Sequence, residues 1–203
     1  MITSQVNATG IRDIERRLGA FKSRAPVAMY RAINDSVSKT FTEMKKIPLE
    51  EFNVTAQKNV ASSLKKHKAS KSNLKGAVSA NGERLDLYKF RHSLSGALAK
   101  AAVMKANSPK KLEKGSKKAF IASMRNGHIG IFERQGLAAR RKTRKKGEQS
   151  KITKHNESIR ELTGLSVPQM LKNKESMDRI KQVAAEYLDE RLEHHIEYIL
   201  SRG

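Results

Sequence analysis

Apolar residues recur at helical spacing through the first quarter of the chain. Ile11, Ile14, Leu18 and Phe21, then Met29, Ile33, Val37, Phe41 and Met44, predict helix from Gly10 to Ile47, with Thr9 as its N-cap. Pro26 lacks an amide donor and crowds the turn before it, and Gly19 weakens the same region. The pattern therefore predicts two helices that meet near residues 22–25, with Pro48 ending the second. "VTAQKNVASSLKKHKAS", residues 54–70, predicts a short helix capped by Thr55 with a basic exit.

Beyond residue 70 the period changes. "SNLKGAVSANG" alternates weakly, with Leu74, Gly76 and Val78 on one side, and Asn81-Gly82 signals a turn. Residues 84–90, "RLDLYKF", alternate through Leu85 and Leu87, and residues 96–107 predict a strand ahead of Pro109. "KAFIASM" (118–124) and "HIGIFERQ" (128–135) face each other across Arg125-Asn126-Gly127, the best hairpin signal in the chain. Gly127 and Gly136 read as turn glycines. Gly130 reads as a strand position where a neighbour comes close.

The helical period returns at the C-terminus. Pro168 stands at the start of a last helix running to about Leu200, along which Met177, Ile180, Ala184, Tyr187, Leu188, Leu192, Ile196 and Ile199 form one apolar stripe. The expected class is α+β, with long N-terminal helices and a C-terminal amphipathic helix packed on an antiparallel sheet built from residues 73–135. The expected segments are 1–53 (helical), 54–136 (helix plus sheet core), 137–157 (basic exposed loop) and 158–203 (helical).

Composition narrows the function. The 203 residues carry no Cys, so disulfides, thiolate metal sites and a Cys nucleophile are excluded. No apolar run approaches the ~20 residues that span a bilayer, and the start does not read as a signal peptide, so a soluble protein made in a cytoplasm is expected, with no membrane partner. The net charge is +22. Residues 168–203 hold six Lys/Arg against seven Asp/Glu, a net of −1, which leaves +23 on everything before Pro168. Such a field draws polyanions or acidic protein surfaces.

Two basic clusters are candidate contacts with DNA or an acidic partner. Arg140, Arg141, Lys142, Arg144, Lys145 and Lys146 lie in the loop; if all six met phosphates, the salt slope of log K would be about −5. Lys65, Lys66, Lys68 and Lys71 form the second, with His67 among them. Either cluster is also explained as solvated charge. Six scattered histidines give no metal-ligand spacing, and no nucleophile elbow or phosphate-binding glycine loop is present. No enzyme and no cofactor is expected. Phe132, Glu133 and Arg134, at the far end of the second hairpin strand, are the candidate subunit interface.

"KKAFIASMRNGHIGIFERQG" followed by "SIRELTGLSVPQML" resembles the minor tail protein Z family of long-tailed bacteriophages and prophages. That family pairs an AF-x-A-x-M…GH-x-G-x-F-x-R-x-G segment with a PI-x-EL-x-GPSVPQML segment. "MYRAINDSVSKT" (29–40) is similar to its "RAIN" helix, and "RLDLYKF" (84–90) to its LxLxxF element. Ser158 and Leu165 stand where the family commonly has Pro. The resemblance implies a structural, non-enzymatic virion protein that completes the head-proximal end of the tail and helps join it to the head. It implies a homo-oligomeric ring around the DNA channel, hexameric by expectation, with other tail or neck proteins as partners, possible contact with genomic DNA, and assembly in the host cytoplasm. The other reading left open is a free protein that binds nucleic acid non-specifically through charge.

Overall fold

A computed structural model of the chain describes residues 2–7, 10–95, 98–114, 117–137 and 157–202. The class is α+β, and the chain divides into two compact units. The first comprises Met1–Phe52, Ala56–Glu83 and Leu165–Gly203; the second comprises Asn53–Thr55 and Arg84–Gly164.

The first unit is built around a 27-residue helix. Strand β1 (Ile2–Asn7) is followed by α1 (Ile11–Leu18), a 3-10 segment at Gly19–Arg24, and α2 (Ala25–Glu51). The expected break is therefore present, but Pro26 sits in the first turn of α2, where a missing N–H costs nothing. Pro48 does not end α2, which runs on to Glu51. The N-cap of α1 is Gly10, at φ 96°, rather than Thr9, which lies outside the described residues.

Residues 54–70 do not form the expected helix. Only α3 (Gln57–Ala61) is helical, and β2 (Leu64–His67) follows it. Val60 and Leu64 are both buried and four apart, as in a helix, but Leu64 is held by strand pairing with β3 (Lys75–Ala80). The three strands form an antiparallel sheet in the order β1-β3-β2.

The last helix is interrupted. A short α4 (Val167–Leu171) precedes α5 (Lys174–Ser201). Ser166 and Gln169 form a reciprocal capping box at the start of α4, with the Ser166 amide 2.9 Å from Gln169 Oε1. Met170 and Leu171 are buried behind it.

α5 runs antiparallel to α2. Ser176 Oγ donates to Glu51 (3.2 Å), Ser36 Oγ to the Ala184 carbonyl (2.7 Å), and Arg191 Nε to Asp35 (2.9 Å). Ile196 and Ile199 close a cluster with Ile14, Leu18, Ala25, Ala28 and Met29. The adjoining side of α2 meets the sheet at Gly76. Each large apolar side chain brought fully into this core adds about 1.5–3 kcal/mol, which is what holds so basic a chain together.

The second unit is mostly strand. The segment 84–90 is a 3-10 turn at Leu87–Lys89 rather than a strand, with Leu85, Leu87 and Phe90 buried together. β4 (Arg91–Ser95), β5 (Leu98–Ala102) and β6 (Lys110–Lys111) form one antiparallel sheet. β7 (Glu113–Lys114), β8 (Lys117–Ser123), β9 (Ile129–Leu137) and β10 (Glu157–Glu161) form another, in the order β10-β9-β8-β7. The described strands thus lie in three sheets, and β1, β2 and β10 fall outside the expected 73–135 range. Gly136 belongs to β9 and not to a turn. The chain leaves the first unit just after Asn81-Gly82, where the backbone is irregular and the expected turn does not form.

Candidate functional site

The hairpin forms as its sequence predicts. Gly127, at φ 82°, closes a three-residue loop: the Met124 amide donates to the His128 carbonyl (2.7 Å) and the Gly127 amide to the Met124 carbonyl (2.9 Å). Asn126 Oδ1 accepts from the His128 amide at 3.0 Å. Beyond the turn Phe120 pairs with Phe132 and Ala122 with Gly130, ring against ring and small beside small.

β10 completes the site from the other edge of β9. Glu161 lies opposite Phe132, and its Oε1 reaches His128 Nε2 at 2.8 Å. A Cβ on Gly130 would meet that Oε1 at 2.3 Å, so the glycine makes room for the carboxylate. The His128 ring stands edge-on to Phe132, with centroids 6.3 Å apart. Arg160 on the same strand reaches Glu133 Oε1 at 2.5 Å, and Gln135 Nε2 donates to it at 2.7 Å.

The three interface candidates therefore differ in what they present. Phe132 is buried inside its own unit, and Glu133 is engaged by Arg160 and Gln135, its side chain only 14% exposed. Arg134 is exposed, with its guanidinium 5.1 Å from the Phe120 ring centroid. Arg160 and Glu161 are the residues the sequence reading missed. The alternation of "SIRE" is the local signal for that strand.

The second basic cluster sits on β2, an edge strand, and on the loop after it, not on a helix end. Lys65, Lys66, Lys68 and Lys71 are all exposed, in keeping with the charge that edge strands carry against stray pairing. Lys66 Nζ lies 4.6 Å from the Phe41 ring of α2, which Lys45 also approaches at 5.3 Å. His67 Nε2 shares a hydrogen bond with Ser79 Oγ (2.9 Å), so that ring is already tied to the sheet. Just beyond, the Asn34 side chain bonds both the amide and the carbonyl of Ala69, which anchors the loop to α2. Arg140, Arg141, Lys142, Arg144, Lys145 and Lys146 lie outside the described residues.

Several other ion pairs join one helix of the first unit to another. Arg179 joins Glu43 and Glu50, Arg17 joins Glu193, and Asp35 takes both Arg191 and His195. Hydrogen bonds to these carboxylates raise the pKa of Arg179 and Arg17, and the Arg17 guanidinium lowers that of Glu193. Burial lowers the pKa of His195 despite the neighbouring Asp35. Among the described residues no three His, Asp or Glu side chains are grouped as metal ligands would be, and no helix is long and apolar enough to cross a membrane.

No family model, curated protein or solved structure matches this chain.

Proposed function

We propose that the chain is a structural protein of a long-tailed phage or prophage virion, acting at the head-proximal end of the tail as a non-enzymatic subunit of a ring. One observation carries this reading most: residues of two separate segments, the GH-x-G-x-F run and the following EL, meet as one constellation. His128, Gly130 and Phe132 contact Glu161 across β9 and β10. Residues shared with a family by chance would have no reason to be each other's partners. The contacts are geometric ones, a small residue clearing space for a carboxylate and an imidazole capping it, which suits a scaffold better than a reaction centre.

The net charge of +22 suits a protein whose neighbours are acidic surfaces or packaged DNA. The test is the mass of the purified protein at low and high salt, with and without duplex DNA, followed by mixing with tails assembled without it. A discrete ring, or a monomer that binds the tail end, is the expected result. A monomer that ignores tails, coats DNA and releases it steeply with salt would replace this reading with charge-driven nucleic-acid binding.

A further inference from the structure

The positive charge is unevenly divided. The second unit holds 21 Lys/Arg against six Asp/Glu, a net of +15, and the first holds 21 against 14, a net of +7. Part of the excess lies on one face of the β4–β5–β6 sheet. Lys100 stands directly opposite Lys111 on β6 and opposite Ser93 on β4, and the period of two puts Arg91 on the same face. Arg91 and Lys111 are exposed and Lys100 is half-buried; none of the three is in an ion pair with another described residue. Like charges set directly opposite each other destabilise a sheet, a cost that a docked anion removes.

α5 is the opposite case. Its 28 residues hold seven Asp/Glu and four Lys/Arg. Glu175, Asp178, Glu186, Asp189, Glu193 and Glu197 fall three, four or seven to eight residues apart, with Gln182 filling the gap, so they form one stripe. All six are exposed, and among the described residues only Glu193 of the six is in an ion pair, with Arg17.

We propose that this acidic stripe docks across the Arg91–Lys100–Lys111 face of a second copy, so that copies join head to tail. The inference deepens the ring reading and rests on it for the number of copies. The two surfaces match in spacing as well as sign. A helix laid across the sheet brings carboxylates from successive turns, about 5.4 Å apart, against Lys100 and Lys111 on neighbouring strands, about 4.8 Å apart, with Arg91 diagonal to Lys100 at about 7–8 Å. A head-to-tail contact needs two different, complementary surfaces, and this chain carries both. Without such a contact, copies charged at +22 repel one another.

The experiment is a charge swap in the full chain, read as solution mass at low and high salt. Wild type is expected to assemble at low salt and dissociate as salt screens the contact. Glu186→Lys with Asp189→Lys should yield monomer, as should Lys100→Glu with Lys111→Glu. The four changes together should restore assembly, because the signs are complementary again. Lys100→Gln with Lys111→Gln should weaken assembly without introducing a charge, and dichroism melts of each variant check the fold.

Variants that assemble like wild type, or a combined variant that stays monomeric, would overturn the interface while leaving the ring intact. A wild type that is monomeric at every concentration and salt would overturn the interface, and the ring reading would fall with it only if that monomer also ignored tails. Loss of duplex-DNA binding by Lys100→Glu with Lys111→Glu, with assembly unchanged, would assign the face to nucleic acid instead.

Discussion

At Gly76 strand β3 passes α2 so closely that no side chain fits. A Cβ there would lie 2.6 Å from Cγ2 of both Ile33 and Val37, two methyls on the buried side of α2. Gly76→Ala is expected to cost about 1–3 kcal/mol, as overpacking a core does, and urea denaturation reads it directly. A loss under about 0.5 kcal/mol, typical of surface changes, would show that β3 moves away freely. Gly130 is a different case, because the obstructing atom is the end of the Glu161 side chain, which can swing aside at the expense of its contact with His128. Both glycines stand out in the sequence as small residues inside strands. Which atoms crowd them depends on chain segments 43 and 31 residues away, and no local pattern names those.

The antiparallel pairing of α2 with α5 is the main helical contact of the first unit, and its polar members set a pH response. His195 faces Asp35, which also holds Arg191, with His194 beside it. Burial lowers the imidazole pKa below its usual 6.5, so the folded chain binds a proton less readily than the unfolded one. Stability from this group is therefore present above pH 6.5 and declines as the pH falls below it toward the folded value. The urea midpoint should drop as pH is lowered through this window, and His195→Gln should remove that part of the drop; an identical pH profile in the variant would exclude it. The period of apolar residues made α2 and α5 legible at this scale. It erred over residues 54–70, where Val60 and Leu64 mimic a helical face but an open edge of β3 recruits the second of them into β2. It also passed over β10, whose partner β9 lies beyond the whole basic loop in sequence.

For the whole molecule, charge is the dominant property. The proposed virion role gives the loop cluster a task at this scale. Changing Arg140, Arg141, Arg144, Lys145 and Lys146 to Glu should leave the melting temperature close to wild type yet impair head–tail joining. Full recovery of infectious particles with that variant would remove the loop from the function. The lean composition, with 37% apolar and 5% aromatic residues, fits subunits that bury further surface against copies and neighbours.

Sequence alone determined the α+β class, the two long amphipathic helices, the hairpin at Asn126-Gly127 and the basic balance of the chain. These depend on periodicity, turn chemistry and charge count, which are local or additive. Tertiary structure alone decided the three-sheet arrangement, the division into two discontinuous units, and the meeting of His128 and Gly130 with Glu161. Those depend on pairing between segments far apart along the chain, where the free energy comes from contacts that no window of neighbouring residues contains.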